Sequence, residues 1–309
     1  MVELRLNQTD LERAIFRTVA WFSLFEFPVT SFEIWKWLIE PLTPYRLEQV
    51  TEVLETSDWL FQRVEREGGF FILSNVRELT ALRHRRFIFA SRKYHCLQRA
   101  LIYLSRIPSI RAVIACNTLA WSNTKSESDI DLFVITRAGT LWLTRLLTIA
   151  PFALFGRRPA TGVIDPFCFS FFVSETHRDF SSLRLHKSDL YLAQWIRSCV
   201  PLFDHGLFEY FVHENGWVNG LFPNSFGVRL ASARRVYKPT NCHAIGKRVG
   251  RNIFESLARI LQRRRLPSEL QSVANLDTRV IVTDDMLKFH PNDRREEFLR
   301  RWKAICLSV

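Results

Sequence analysis

The chain has little glycine or proline, no paired cysteine spacing and no long apolar run. Its six cysteines, Cys96, Cys116, Cys168, Cys199, Cys242 and Cys306, are scattered, so neither a Cys-x-x-Cys zinc site nor a disulfide framework is indicated. The N-terminus lacks a basic, apolar, small-residue leader pattern. The most apolar stretch, Leu146 to Phe155, is ten residues long and flanked by Arg145 and Arg157-Arg158, against the roughly 20 needed to span a bilayer. A cytoplasmic address with no membrane contact is the expectation. With 11 Gly and 12 Pro in 309 residues, extensive low-complexity linkers are excluded, and no internal repeat is visible. What is present is core: 47% apolar residues, 26 Phe and 9 Trp, with 24% charged. That composition excludes disordered and fibrous chains, and the length suits two or three modules.

Positive charge is in excess, 43 Lys/Arg against 31 Asp/Glu for a net of +12, and it is unevenly placed. Residues 1–75 carry 7 basic and 12 acidic side chains, a net of −5, leaving +17 on the rest. An acidic head on a basic body predicts separate modules, with any polyanion-binding surface on the body.

In the head, Thr9-Asp10-Leu11-Glu12 and Thr30-Ser31-Phe32-Glu33 read as capping boxes that open helices, because hydroxyl and carboxylate satisfy the free amides of a first turn. Thr43-Pro44 predicts the start of a third helix. Gly68-Gly69 between Phe61–Glu67 and Phe70–Leu73 predicts a hairpin. Three helices and a hairpin are the layout of a winged helix. The third helix, however, carries Glu48, Glu52, Glu55 and Asp58 against Arg46, the wrong sign for phosphate, so duplex DNA is not an expected partner.

Residues 77–111 hold nine Lys/Arg and one acid, Glu78, on what reads as one long helix. That basic face is either solvated or in contact with nucleotide or RNA phosphate. The period then changes. Strands at Arg111–Cys116, Asp129–Thr136 and Phe167–Val173, with a helix at Leu141–Phe155 bent by Pro151, predict a small α/β unit. Beyond Lys187 the pattern is mostly helical, at Asp189–Val200, Leu207–Trp217 and Ile253–Leu266, with a long surface loop over 222–250. The expected class is α+β, a small mixed-sheet core at 77–186 between a winged-helix-like domain at 1–76 and a helical region at 187–309.

The segment with chemical content is Ser128-Asp129-Ile130-Asp131-Leu132. Residues two apart on a strand share a face, so Asp129 and Asp131 project together. Such a crowded pair is costly unless paired with arginine, solvated, or bridged by a hard divalent ion such as Mg²⁺ carrying substrate phosphates.

Upstream lies Cys116-Asn117-Thr118-Leu119-Ala120-Trp121, with ten residues separating Thr118 from Asp129. Together these resemble the DNA polymerase β-like nucleotidyltransferase superfamily, where a Gly-Ser turn precedes Asp-hydrophobic-Asp on the next strand. Trp21-Phe22 to Phe27-Pro28, Leu141 to Arg145 and Asp285 to His290 extend the likeness to a group of bacterial proteins with an N-terminal winged-helix-like region. The resemblance implies Mg²⁺ or Mn²⁺ and an NTP. Asp129 and Asp131 would be catalytic and would hold the metals, while Asn117 and Thr118 cradle phosphate; backbone amides in such a turn form an anion nest. Lys125, Arg137 and Arg145 lie near enough in sequence to touch a triphosphate. For Arg145, inside an apolar helix, the expected partner is an anion: Asp129, Asp131 or phosphate.

Two departures stand out. Asparagine replaces the turn glycine, although Asn tolerates left-handed geometry. The strand where active members place a third carboxylate reads Phe167-Cys168-Phe169-Ser170-Phe171, without an acid, leaving Asp165 and Glu175 beyond its ends. His290-x-x-Asp293 reads as a helix-start cap rather than a metal pair. His186, His205 and His213 carry no functional expectation. The leading reading is a Mg²⁺-dependent nucleotidyltransferase with a protein, small-molecule or RNA acceptor. The alternatives are a catalytically silent nucleotide- or RNA-binding protein and a winged-helix regulator.

Overall fold

The computed structural model describes residues 9–226 and 253–308. The head opens with α1 (Asp10–Ser23), β1 (Val29–Thr30), α2 (Ser31–Lys36), α3 (Leu47–Thr56), α4 (Asp58–Phe61), β2 (Glu65–Glu67) and β3 (Phe70–Ile72). Both capping boxes form, Thr9 with Glu12 and Thr30 with Glu33. Gly68 and Gly69 both take positive φ, 57° and 81°, which turns β2 back onto β3 as a two-residue hairpin requires. The small sheet runs β1-β3-β2. The third helix starts at Leu47, not at Thr43-Pro44; Gln49 rather than a hydroxyl accepts the Arg46 amide, at 2.9 Å.

The 29-residue α5 (Val76–Leu104) leads into β4 (Ile110–Ala115), α6 (Asn117–Ala120), β5 (Ile130–Thr136), α7 (Leu141–Leu154, containing Pro151) and β6 (Phe167–Ser174). Then follow α8 (Leu190–Ser198), β7 (Val200–Asp204), α9 (Leu207–Glu214), α10 (Ile253–Arg264), α11 (Ser268–Val273), β8 (Val280–Val282), β9 (Met286–Phe289) and α12 (Arg295–Leu307). The architecture is mixed α/β. Its main sheet has six strands in the order β7-β4-β5-β6-β9-β8, with β5 and β6 parallel across α7 and the other pairs antiparallel.

The region expected to be helical therefore supplies half of that sheet. Val200–Asp204 closes one edge against β4, and Asp285–His290 supplies β9. These strands are short, with buried positions on both faces, and their apolar runs carry no alternation to separate them from helix ends. Of the loop expected over 222–250, only 222–226 are described, with a 3-10 turn at Pro223–Ser225; the rest, and much of the basic stretch 229–265, lies outside the described residues.

The sheet buries both faces. Leu132, Val134 and Phe172 pack under α5 and α7, against Leu97, Leu101 and Trp142. Phe133, Ile135 and Phe171 pack the other way, into one continuous cluster that also holds Trp21, Phe22 and Leu38 of the head and Trp195 of α8. Head and sheet thus share a core. Ion pairs join them too. Arg83 of α5 makes a bidentate pair with Glu33 at 2.8 Å and donates to the Pro28 carbonyl. Arg86 reaches Glu26 at 2.6 Å and the Phe25 and Glu26 carbonyls. Part of the basic helix face is thus paired with the acidic head, while Arg77, Arg85 and Arg99 stay exposed. Among the described residues, no helix is long and apolar enough to cross a membrane.

Candidate functional site

The turn after β4 carries the site. Asn117 sits at φ 52° and Ser122 at φ 61°, a left-handed conformation that costs most side chains energy and that Asn accepts. The Asn117 side-chain oxygen accepts from Trp195 Nε1 at 2.8 Å, and its side chain hydrogen-bonds Asp131. Asn117 is a bridge between α8 and β5.

Asp131 lies in register with Cys168 on β6, and its carbonyl accepts the Cys116 amide from β4 at 3.2 Å. The Cys168 thiol hydrogen-bonds its carboxylate. Burial, reinforced by the Asp129 charge and opposed by Asn117 and Cys168, pushes the Asp131 carboxyl up to about 7. Burial raises Asp129 too, against Lys93 and Arg158. The pair is therefore a stability liability. A carboxyl raised in the folded state favours folding at acid pH, and that stability is lost as pH rises towards 7. Asp131→Asn is expected to raise the melting temperature at pH 8 and leave it nearly unchanged at pH 4; a lower melting temperature at pH 8 would contradict this account.

Neither alternative third acid joins the pair. Asp165, almost fully buried, accepts from Lys93 at 2.6 Å and Arg92 at 2.9 Å. Glu175 binds Arg111 at 3.1 Å and the Ala138 amide at 3.2 Å, beyond the far end of β6. Cys168 and Ser170 occupy the half-buried positions of the strand, while Phe167 and Phe169 face the α7 side. A bulge between Asp131 and Phe133 then turns Phe171 to the opposite face.

Arg145 departs from expectation. Its guanidinium donates to Gln262 at 2.6 Å and lies over the Phe289 ring at 4.9 Å, on the α7–α10 side of the sheet. Burial and the nearby Arg158 lower it to about 10. Its partners are a neutral amide and an aromatic face, because α10 packs over α7 where an anion was expected. The cations felt by Asp129 are instead Lys93 and Arg158, and Arg158, also felt by Cys168, donates to the Phe167 carbonyl at 3.0 Å. Lys93, fully buried, donates to the Ser126 and Ser128 carbonyls at 3.2 and 2.6 Å and pins the loop that leads into Asp129. Neither residue announces itself in sequence, since each is one cation among many.

A cavity of about 540 Å³ opens beside this turn. Asn117, Thr118, Lys125 and Ser128 line one side, and Phe25 and Glu26 of the head a second. Tyr191, Gln194 and Trp195 of α8, with Arg294, Phe298 and Arg301 of the α12 region, complete it. Asp131 is joined to the cavity through Asn117, and Asp129 follows directly on Ser128. His290, half-buried and lowered to about 4 chiefly by burial, follows β9; Asp293 accepts the Arg295 amide at 3.0 Å just ahead of α12, whose N-cap position is Arg294.

No family model, curated protein or solved structure matches this chain. The reading of function therefore rests on the site.

The donor set bears on a metal directly. Two carboxylate oxygens suit one Mg²⁺ that arrives with phosphates and keeps several waters. The next neighbour, the Cys168 thiol, is soft and raised to about 12 by burial and Asp131, which suits no hard ion. Among the described residues no group of three His, Cys, Asp or Glu can hold a metal. The residues fit a nucleotide-borne ion better than a resident two-metal centre.

Proposed function

We propose that this protein binds a Mg²⁺-complexed nucleoside triphosphate on a nucleotidyltransferase-like core. One observation carries the reading: the cavity joins phosphate-binding chemistry to a wall of aromatic rings. At one end, Thr118 and Lys125 line it together with Asn117 and Ser128. Asp131 and Asp129 are not in the lining themselves but stand behind it, Asp131 hydrogen-bonded to the Asn117 side chain and Asp129 next in the chain after Ser128. Along the other run Trp121, Phe25, Phe298 and Tyr191, each ring in contact with the next at centroid distances of 5.5, 4.9 and 5.6 Å. Lysine and hydroxyl suit phosphate oxygens, aromatic faces suit a base, and the volume lies within the range of small-molecule sites. Arg294 and Arg301 at the rim add positive charge, shared with Glu297 at 2.7 and 3.7 Å.

Transfer of a nucleoside monophosphate, with pyrophosphate released, is the second reading, and the retained aspartate pair favours it. Against it stands Cys168 beside Asp131, where the related enzymes carry an acid that activates the attacking hydroxyl. With Asp165 and Glu175 engaged elsewhere, binding without turnover is the better-supported function. Protein and RNA remain acceptors under the transfer reading only; of the basic helix, Arg83 and Arg86 are paired with the head.

Isothermal titration of the full chain with each NTP and MgCl₂ tests the proposal. Binding is expected in wild type and is expected to fall by at least about tenfold, roughly one lost charge-assisted contact, in the Asp129→Ala/Asp131→Ala double variant. No heat with any NTP would sink it. Label transferred from an α-labelled NTP to any acceptor would replace it with the second reading.

A further inference from the structure

Gln194 has a fixed orientation that the nucleotide reading does not yet use. The residue is 5% exposed and lines the cavity from α8. Trp21 Nε1 meets its side-chain oxygen at 2.7 Å. An indole nitrogen only donates, so the atom it meets is the carboxamide oxygen, and the amino group must point the other way. That amino group has no protein partner among the described residues, and it is not sealed from solvent. For so buried a residue, the remaining open surface is the cavity. Trp21 is itself wholly buried and packs against Phe25 and Trp302 at 5.3 and 6.3 Å, so the lock is held by the core and does not rotate with the ligand.

We infer that Gln194 selects the ring of the bound nucleotide, admitting a base that presents a carbonyl to its amino group and disfavouring one that presents an amino group there. This inference rests on the nucleotide reading. Guanine and uracil carry a carbonyl where adenine and cytosine carry NH₂. Two donors facing each other in a site walled by Phe25, Tyr191 and Phe298 leave both unsatisfied, and such pairs are discriminated against strongly. Gln194's own oxygen is taken by Trp21, so its amide presents only the donor to the ring.

The test is titration of the full chain with GTP, UTP, ATP and CTP, each with MgCl₂. GTP and UTP are expected to bind at least about tenfold more tightly than ATP and CTP. Gln194→Glu replaces the amino group with an acceptor and is expected to abolish or reverse that order. Trp21→Phe keeps the glutamine but frees its amide to turn over, and is expected to shrink the preference below about threefold while binding persists. Thermal melts accompany both variants; if Gln194→Glu fails to fold, the wild-type order and Trp21→Phe still decide. Equal affinities for the four nucleotides in wild type, a preference for ATP or CTP, or an unchanged order in either folded variant would overturn the role of Gln194 and leave nucleotide binding standing. No binding of any nucleotide by wild type would instead remove the reading beneath it.

Discussion

Lys93→Met is expected to cost about 3–5 kcal/mol of stability, the usual range for breaking a buried ion pair from one side. Lys93 is fully buried, and its ammonium donates to Asp165 at 2.6 Å and to two carbonyls of the loop before Asp129. Methionine fills the volume but leaves the Ser126 and Ser128 carbonyls unpaired and Asp165 with Arg92 alone. Denaturant unfolding of wild type and variant measures the difference directly. Its pH dependence is diagnostic. Burial raises the Asp165 carboxyl, but hydrogen bonds from Arg92 and Lys93 outweigh it and hold the group below its ordinary 3.8. A depressed carboxyl contributes stability above that ordinary value and loses it as pH falls through the lower, folded one. The gap between wild type and Lys93→Met should therefore be full at pH 7 and narrow towards pH 3. A gap that stays constant over that range would mean the lysine acts only by filling space. Nucleotide binding should weaken as well, because the loop between Lys125 and Asp129 loses its anchor.

Arg295→Met carries the second large effect, again about 3–5 kcal/mol, with a fall in melting temperature on the order of 10 °C for a chain of this size. Arg295 is 8% exposed and joins four segments. It donates to Asp189 and the Leu183 carbonyl at 2.8 Å, to Thr278 at 2.8 Å and to Asp293 at 2.8 Å. Asp189 in turn caps α8 by accepting the Leu192 amide at 3.0 Å. One guanidinium thus sets α8, which carries Tyr191 and Gln194, against α12, which carries Phe298. Exposed Arg300, five residues on, serves as the comparison: Arg300→Met should change stability by no more than about 0.5 kcal/mol. Similar losses in the two variants would show that net charge, not the buried network, is responsible.

Both residues illustrate a limit of reading charge along a chain. The run of cations on α5 looks like a polyanion surface when only the residue types are visible. In the fold, Arg83 and Arg86 face Glu33 and Glu26 of the head, and Arg92 and Lys93 face Asp165. Four of the cations on α5 are thus engaged, two by the acidic head and two by Asp165 of the body, and at the cavity Lys125, Arg294 and Arg301 add positive charge.

The sequence by itself determined the elements whose signals are local. The capping boxes of Thr9 and Thr30, the Gly68-Gly69 turn, the long helix from Val76, the strands around Asp131 and Phe171, and the left-handed turn at Asn117 all follow from neighbours a few residues apart. Tertiary structure decided what depends on distant partners. It brought β7, β8 and β9 into the sheet, because short buried strands are stabilised by pairing rather than by their own pattern. It sent Arg145 to Gln262 rather than to the aspartates, because α10, more than 100 residues on, packs over α7. It turned the Gln194 amide by means of Trp21, 173 positions away. A periodicity records which side of an element is buried; only the packed neighbour determines what each polar atom on that side meets.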